Sequence, residues 1–238
     1  MPLPYFYINQ DSFNSDLLTL SDETSRHVVQ VLRMKEGDML HLTNGQGLLL
    51  KASITEAHKK KAVVKIVDQQ FTVASEKKIS IAVSLLKNAS RLEWFLEKAA
   101  ELGVYQIIPL LCERTEKMHF RKDRAEQILI SAMLQSQQTY LTRLQHPVTV
   151  ENFFQSDIAL GYDYKYLAHC ADDEKHALIN LVSTEQKHTI IFIGPEGDFT
   201  EKEIMLAKKN GYSAVSLGSN RLRTETAALT AAAILCIN

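Results

Sequence analysis

Two hydrophobic patterns follow one another along the chain. From Tyr5 to about Phe71, apolar and polar residues alternate in short runs, the period of half-buried strands. Met39 to Thr43 and Leu48 to Ile54 read as strands flanking Asn44-Gly45-Gln46-Gly47, a hairpin turn signal, and Ala62 to Val67 forms another strand after Lys59-Lys60-Lys61. One helix interrupts them. Ser21, with Asp22 and Glu23 behind it, has the chemistry of a helix start, and His27 to Met34 continues the helix with Val28 and Leu32 on one face until Glu36-Gly37-Asp38 stops it.

After the polar stretch Ala74-Ser75-Glu76-Lys77-Lys78 the pattern changes to alternating strands and helices. Ile79 to Leu86 is an apolar strand. Arg91 to Leu102 places Leu92, Phe95, Leu96, Ala99 and Leu102 on one helical face, and Gly103 stands where a helix C-terminal glycine is expected. Val104 to Leu111 is the next strand and Ala125 to Ser136 the next helix. Tyr164 to Ala168 follows as a strand, Glu174 to Val182 as a helix, and Thr189 to Ile193 as a buried strand. Thr200 and Glu203 form a capping box for a helix that Gly211 closes. Ser213 to Leu217 is a further strand, and Thr226 to Ile237 an Ala-rich final helix. This alternation implies a mostly parallel sheet covered on both faces, preceded by a small β-rich domain, with residues 1–72 and 73–238 as the two domains.

Composition narrows the function classes. The 238 residues are 45% hydrophobic and 23% charged, enough apolar material for a substantial core. No apolar run approaches the roughly 18 to 20 residues that span a bilayer, and Met1-Pro2-Leu3-Pro4-Tyr5 lacks a basic region followed by an apolar one. No membrane partner is expected, and the expected location is the cytoplasm. Cys112, Cys170 and Cys236 are widely spaced and form no CxxC pair, which fits a reducing compartment. There is no HExxH, and His169-Cys170 has no second ligand pair at zinc spacing, so no metal is expected. With 27 Lys and Arg against 28 Asp and Glu the net charge is −1, so any nucleic-acid binding must come from local patches.

Ligands of open parallel sheets bind beyond the carboxyl ends of the strands. Two loops in that position stand out. Ile193 ends a strand and leads into Gly194-Pro195-Glu196-Gly197-Asp198-Phe199, where the glycines let a ligand approach the backbone. An ordinary tight turn has the same composition. The second loop, Leu217-Gly218-Ser219-Asn220-Arg221-Leu222-Arg223-Thr224-Glu225-Thr226-Ala227, joins a buried strand to the final helix. Its Thr224 and Glu225 suit a helix cap and its arginines a solvated surface. Both loops follow strands of one βαβ unit that look adjacent, which should bring them to one cleft.

Two further segments complete a pattern. His27-Val28-Val29-Gln30-Val31-Leu32-Arg33 precedes Gly37-Asp38, and the stretch from Lys98 to Arg114 contains Glu101-Leu102-Gly103-Val104 and Ile108-Pro109. These four segments, in this order, resemble the motifs of the RsmE family, SPOUT-superfamily methyltransferases acting on 16S ribosomal RNA. The resemblance implies an α/β fold of SPOUT type, with a trefoil-knotted, mostly parallel sheet and an N-terminal PUA-like β-barrel that binds RNA. It implies S-adenosylmethionine as cofactor and a homodimer. The implied reaction is methylation of N3 of a uridine, expected to be uridine 1498, in the 16S ribosomal RNA of the small ribosomal subunit. It also implies cofactor contacts from His169, Ile193, Gly194, Pro195, Glu196, Gly197, Leu217, Gly218, Leu222, Arg223 and Thr224.

For that reaction the difficulty is the nucleophile. N3 of uridine carries a proton at neutral pH, and charge spreads onto the flanking carbonyl oxygens as the proton leaves. Arg223 and Arg221 are therefore the catalytic candidates, as guanidinium groups able to stabilise that charge. Glu196 and Glu225 are placed where a base could act, although a carboxylate at a helix start is also a cap. RNA contact falls to Arg26, Arg33 and Lys35 in the first domain and to Arg91 and Arg114 near the cleft, while Lys59 to Lys61 suits either phosphate contact or solubility.

The chain departs from the family pattern at three places. Asp198 stands where glycine is usual, Asn220 stands where arginine is frequent, and in Met133-Leu134-Gln135-Ser136-Gln137-Gln138 only Gln135 and Ser136 match. A non-catalytic RNA-binding or ribosome-assembly protein with a degenerate SPOUT domain is the alternative reading. An unrelated nucleotide-binding α/β enzyme is a third, against which the absence of GxGxxG and of a Walker A loop counts.

Overall fold

A computed structural model describes residues 3–10, 15–116, 119–183 and 185–237. The chain forms two compact units. Met1–Ala74 with Met133–Leu141 make the first, and Ser75–Ala132 with Thr142–Asn238 the second.

The first unit is a five-stranded sheet with one short helix. Its strands are β1 (Tyr5–Tyr7), β2 (Leu17–Thr19), β3 (Met39–Thr43), β4 (Leu48–Glu56) and β5 (Val63–Phe71), in the order β1-β3-β4-β5-β2. Only β1 and β3 run parallel; the other pairs are antiparallel. The two-residue period is clear in β4, where Leu48, Leu50, Ala52 and Ile54 are all buried. Phe6 and Leu18, from the two edge strands, bury in the same core as these residues, so the sheet curls around it.

Helix α1 (Asp22–Arg26) starts at Ser21, whose side chain accepts from the Thr24 N–H. It does not continue evenly to Met34. His27–Val31 is a π-helical turn, with the Leu32 N–H bonded to the His27 carbonyl at 2.9 Å. The wider turn rotates the succeeding residues about the helix axis. Val28 is fully buried while Leu32 is 44% exposed, so the two do not share a buried face.

The Asn44 to Gly47 turn does more than reverse the chain. Segment 139–141 lies along it: the Gly47 N–H donates to Thr139 O and the Leu141 N–H to Gly45 O, both at 2.8 Å. A Cβ on Gly45 would meet the Leu141 Cβ at 2.9 Å, and one on Gly47 would run into the Tyr140 hydroxyl. Both glycines have positive φ, +71° and +98°.

The second unit is built on a sheet in which every pair is parallel. In chain order it contains β6 (Lys78–Ser84), α2 (Ala89–Glu101), β7 (Gln106–Leu111), α3 (Lys122–Gln135), β8 (Arg143–Leu144), β9 (Val148–Thr149), α4 (Val150–Gln155), β10 (Tyr164–Ala168), β11 (His176–Ala177), β12 (His188–Ile193), α5 (Glu201–Lys209), β13 (Ser213–Ser216) and α6 (Thr224–Ile237). Helix α3 begins here and its last residues belong to the first unit. The strand order is β11-β13-β10-β12-β6-β7-β8, with β9 also on β7. β6 and β12 are buried at nearly every position, which is why they read as continuous apolar runs.

Helix α2 buries Leu92, Phe95, Leu96 and Ala99, and Gly103 follows it at φ +77°. Thr200 and Glu203 do form a capping box on α5. Where a helix was expected over 174–182 there is instead the short edge strand β11 and a single 3-10 turn, Leu178–Asn180. The reason is long-range pairing: His176 and Ala177 add to β13, and only Leu178 of the turn is buried. The strands preceding the two glycine loops, β12 and β13, are not adjacent, because β10 lies between them.

Candidate functional site

A cavity of about 720 Å³ opens at the C-terminal ends of β10, β12 and β13. That volume lies within the roughly 300–1,000 Å³ typical of small-molecule sites. Both glycine loops line it, and because β10 is the middle strand, the loop after β10 forms a third wall. Of the residues expected to touch a cofactor, His169, Ile193, Gly194, Pro195, Glu196, Leu217, Gly218, Leu222, Arg223 and Thr224 line the cavity, as does Arg221. Gly197 does not. It faces Arg114, and a Cβ there would sit 3.5 Å from the Arg114 Cβ and Cδ.

Sequence reasoning did not assign Cys170, Lys175, Asp198, Ser219 and Asn220 to the site, yet all five line it. Nothing in their types marks them. Their position after β10, or within the glycine loops, is the only signal.

Each wall has a local cause. Gly194 must be small because the Phe199 ring packs behind it, 3.0 Å from where a Cβ would be. Gly218 has φ +138°, a conformation L side chains rarely adopt, with open space where its side chain would stand. The Thr224 hydroxyl donates to the Gly194 carbonyl at 2.9 Å and ties the loop after β13 to the loop after β12. Asp198 ties the loop after β12 to the loop after β10. At φ +63° it takes the left-handed conformation, and its carboxylate accepts from the Cys170 N–H at 2.8 Å and from the Phe199 N–H at 2.9 Å. Aspartate is one of the few non-glycine residues suited to that bend.

The wall after β13 carries unused donors. Among the described residues, no main-chain N–H from 218 to 222 meets an acceptor, and neither the Arg221 nor the Arg223 guanidinium has a hydrogen-bond or ion-pair partner. Both arginines are exposed. His169 contributes differently. Its side chain is completely buried while the residue as a whole is 7% exposed, so its main chain is what reaches the surface of the cavity. The imidazole nitrogens have no hydrogen-bond partner, and Nε2 lies 3.7 Å from the Asp173 carboxylate. Burial first, then the Lys175 charge, hold the imidazole below the usual histidine value of 6.5 and keep it neutral.

The arginines expected near the cleft are engaged. Arg91 Nε stands 3.6 Å from Glu225, whose side chain is only 10% exposed, and Arg114 Nη1 donates to the Gly197 carbonyl at 2.8 Å. Glu225 does not line the cavity, whereas Glu196 is exposed at its rim. In the first unit Arg26 pairs with Asp22 at 3.1 Å, and Arg33 and Lys35 are exposed. Arg33 follows the π-helical turn at φ +56°, and the Lys35 N–H donates to Asp38 at 2.7 Å. No group of three or more His, Cys, Asp or Glu among the described residues could hold a metal ion, and no helix among them is long and apolar enough to cross a membrane.

Comparison with known proteins matches this architecture. Residues 74–236 match the RNA methyltransferase domain family and residues 20–67 the RNA methyltransferase PUA domain family. The ribosomal RNA small subunit methyltransferase E of Rickettsia conorii is 30% identical over 95% of this chain and 92% of its own. The chain belongs to the RsmE family. Two solved structures resemble this RsmE-family protein along its whole length. A Legionella pneumophila protein in complex with the cofactor SAM has a TM-score of 0.86 and 31% identity, covering 99% of this chain and 97% of that one. A Neisseria gonorrhoeae ribosomal RNA small subunit methyltransferase E bound to S-adenosyl methionine has a TM-score of 0.83 and 26% identity, covering 98% and 96%. The fold of the RsmE-family chain is thus the SPOUT α/β class with an N-terminal PUA-like domain, as expected from its motifs.

Proposed function

We propose that this protein methylates N3 of a uridine in the 16S ribosomal RNA of the small ribosomal subunit, at the position numbered 1498, with S-adenosylmethionine as methyl donor. The observation that carries the reading is the wall after β13: free main-chain donors and two unpaired guanidinium groups on one loop of a ligand-sized cavity. The cavity suits the cofactor. Loops 168–170, 193–198 and 217–224 would hold it, with main-chain N–H groups available for its polar edges and Gly218 leaving room for close approach. When bound, S-adenosylmethionine supplies a methyl group on a sulfonium leaving group.

The chain's own residues then have the harder task. Arg223, and Arg221 beside it, would face the uracil carbonyl oxygens and stabilise the charge that builds on them as the N3 proton leaves. Exposed and unpaired, their guanidinium groups are free to turn toward RNA. Arg26, Arg33 and Lys35 supply phosphate contacts from the PUA-like unit, consistent with their exposure. The Asp198 departure, a feature that taken alone favours a degenerate, non-catalytic protein, is absorbed by the left-handed bend and the two hydrogen bonds it makes.

We also infer a homodimer. From Ala227 onward helix α6 carries a single polar side chain, Thr230, a pattern close to that of fully buried helices, yet Leu229, Ala233, Ile234 and Cys236 are only half-buried and Ile237 is 72% exposed. Light scattering should give twice the 26.9 kDa chain mass. Such an enzyme would work in the cytoplasm, where ribosomes are built. The deciding experiment combines calorimetry of S-adenosylmethionine binding with mapping of methylation on small subunits from cells lacking the protein. Absence of cofactor binding by the folded protein would overturn the reading.

A further inference from the structure

The loop that follows β7 is tied to the 194–203 segment, which walls the cavity after β12, at two points. At its base, the Thr115 hydroxyl lies 2.9 Å from the buried Ser84 hydroxyl at the end of β6 and accepts from the Cys112 N–H at 2.9 Å. From that anchored base two arms reach across. Arg114 Nη1 donates to the Gly197 carbonyl at 2.8 Å and lies 3.4 Å from the Phe199 carbonyl. The neighbouring Glu113 N–H donates to Glu203 Oε1 at 2.9 Å. Glu203 is 3% exposed, and its other oxygen takes the Thr200 N–H at 2.8 Å and the Thr200 hydroxyl at 3.0 Å.

These bonds fix the two ends of one short stretch. Gly197 and Phe199 flank Asp198, so carbonyls on both sides of the left-handed residue point to Arg114 while its carboxylate points to Cys170. A guanidinium is the group for this task, because its planar fork presents several N–H donors at fixed angles to neighbouring acceptors. An ammonium is a point charge that commits to no such plane.

We propose that Arg114 is a positioning residue of the cavity, holding the 197–199 stretch from the side opposite Asp198, and that it is not a phosphate contact for RNA. This rests on reading the cavity as the cofactor site. Loss of the arm should leave the wall able to form but no longer held, so the deficit falls on cofactor affinity, and the methylation rate should recover as the cofactor is raised to saturation.

The test uses the full-length protein with Arg114→Ala and Arg114→Lys, each first shown to melt as one folded species; at an exposed position neither should unfold the chain. Hydrogen exchange in the free protein reads the brace directly. Amide exchange in 197–199 should rise tenfold or more in Arg114→Ala and less in Arg114→Lys. Calorimetry should show S-adenosylmethionine binding weakened roughly five- to tenfold, the loss expected for one charge-assisted hydrogen bond at an exposed position. The salt dependence of RNA binding should not change. Unaltered exchange in 197–199 overturns the brace. Faster exchange with unaltered cofactor affinity overturns its role in the cavity, and a log-log salt slope shallower by about 0.7 to 0.9 identifies Arg114 as a phosphate contact instead. If the wild-type protein binds no S-adenosylmethionine, the reading of the cavity fails while the exchange measurement still decides the brace.

Discussion

Asp198 offers a prediction in which three substitutions separate three physical causes. Its conformation, φ +63°, costs an ordinary L residue about 1–2 kcal/mol and glycine almost nothing. Its carboxylate accepts two main-chain N–H groups, from Cys170 and Phe199. Hydrogen bonds to charged groups contribute about 1.5–3 kcal/mol each when buried. Asp198 is half-exposed and Cys170 exposed, so about 1 kcal/mol each is the appropriate scale here. Asp198→Gly should therefore destabilise the second unit by about 2 kcal/mol. Asp198→Ala loses the same bonds and adds the left-handed strain, offset in part by the ~0.4–1 kcal/mol gained from a less flexible unfolded chain, so it should fall up to about 1.5 kcal/mol below glycine. Asp198→Asn keeps one good acceptor and tolerates the bend, so it should lie between wild type and glycine. Urea unfolding followed by fluorescence suits the measurement, because the single tryptophan, Trp94, lies in α2 of the same unit. A glycine variant as stable as wild type would show that the two hydrogen bonds contribute nothing, and the account of how this chain tolerates a non-glycine residue would fail.

Three further outcomes are expected of the site. Arg223→Ala should lower the single-turnover methylation rate at saturating cofactor by on the order of a hundred- to a thousandfold, with partial recovery at higher pH where the uridine is closer to ionised; loss of cofactor affinity without pH rescue would make Arg223 a structural residue. His169 is held neutral in the folded chain, below its ordinary value of 6.5, so the unfolded chain binds more protons just below that pH and stability must fall as the solution is acidified from 6.5 downward. His169→Gln should flatten this limb of the stability curve, and an unchanged acid slope would exclude the imidazole as its source. Of the cysteines, exposed Cys170 should react with a thiol reagent and be protected by S-adenosylmethionine, because it lines the cavity, whereas burial pushes the Cys112 thiol up to about 12 and should keep it inert until the chain unfolds.

How much of this was legible depended on whether the signal was local. The apolar runs of β6 and β12, the face of α2 and the capping box of α5 are set by residues within one or two turns of each other, and all were readable. The glycines of the two loops were readable for the same reason. What failed was pairing at a distance. His176 and Ala177 form a strand only because β13 offers an open edge, and the Asn44 to Gly47 turn needs both glycines only because segment 139–141 lies on it. The partners of Arg114 are equally hidden, because its type and its place near the cleft fit a solvated cation or an RNA contact alike. Its acceptors are carbonyls 83 and 85 residues away, and no spacing in the sequence announces them.

The same distinction explains why only two of the cavity's three walls carry a glycine signal, the third being represented in the sequence reading by His169 alone, through the family resemblance. The wall after β10 contains no glycine among residues 168–176 and no motif. It belongs to the site because the crossover from β12 to β13 passes over β10, which leaves the end of β10 between the two glycine loops. A glycine at 198 would permit the bend but could not reach Cys170. Aspartate permits the bend and binds the wall after β10 to the wall after β12, so the residue that departs from the family pattern joins the unmarked loop to the marked one. With Thr224 closing the other junction, the walls are held to each other by hydrogen bonds within the chain, and a ligand entering the cavity meets an arrangement it does not have to assemble.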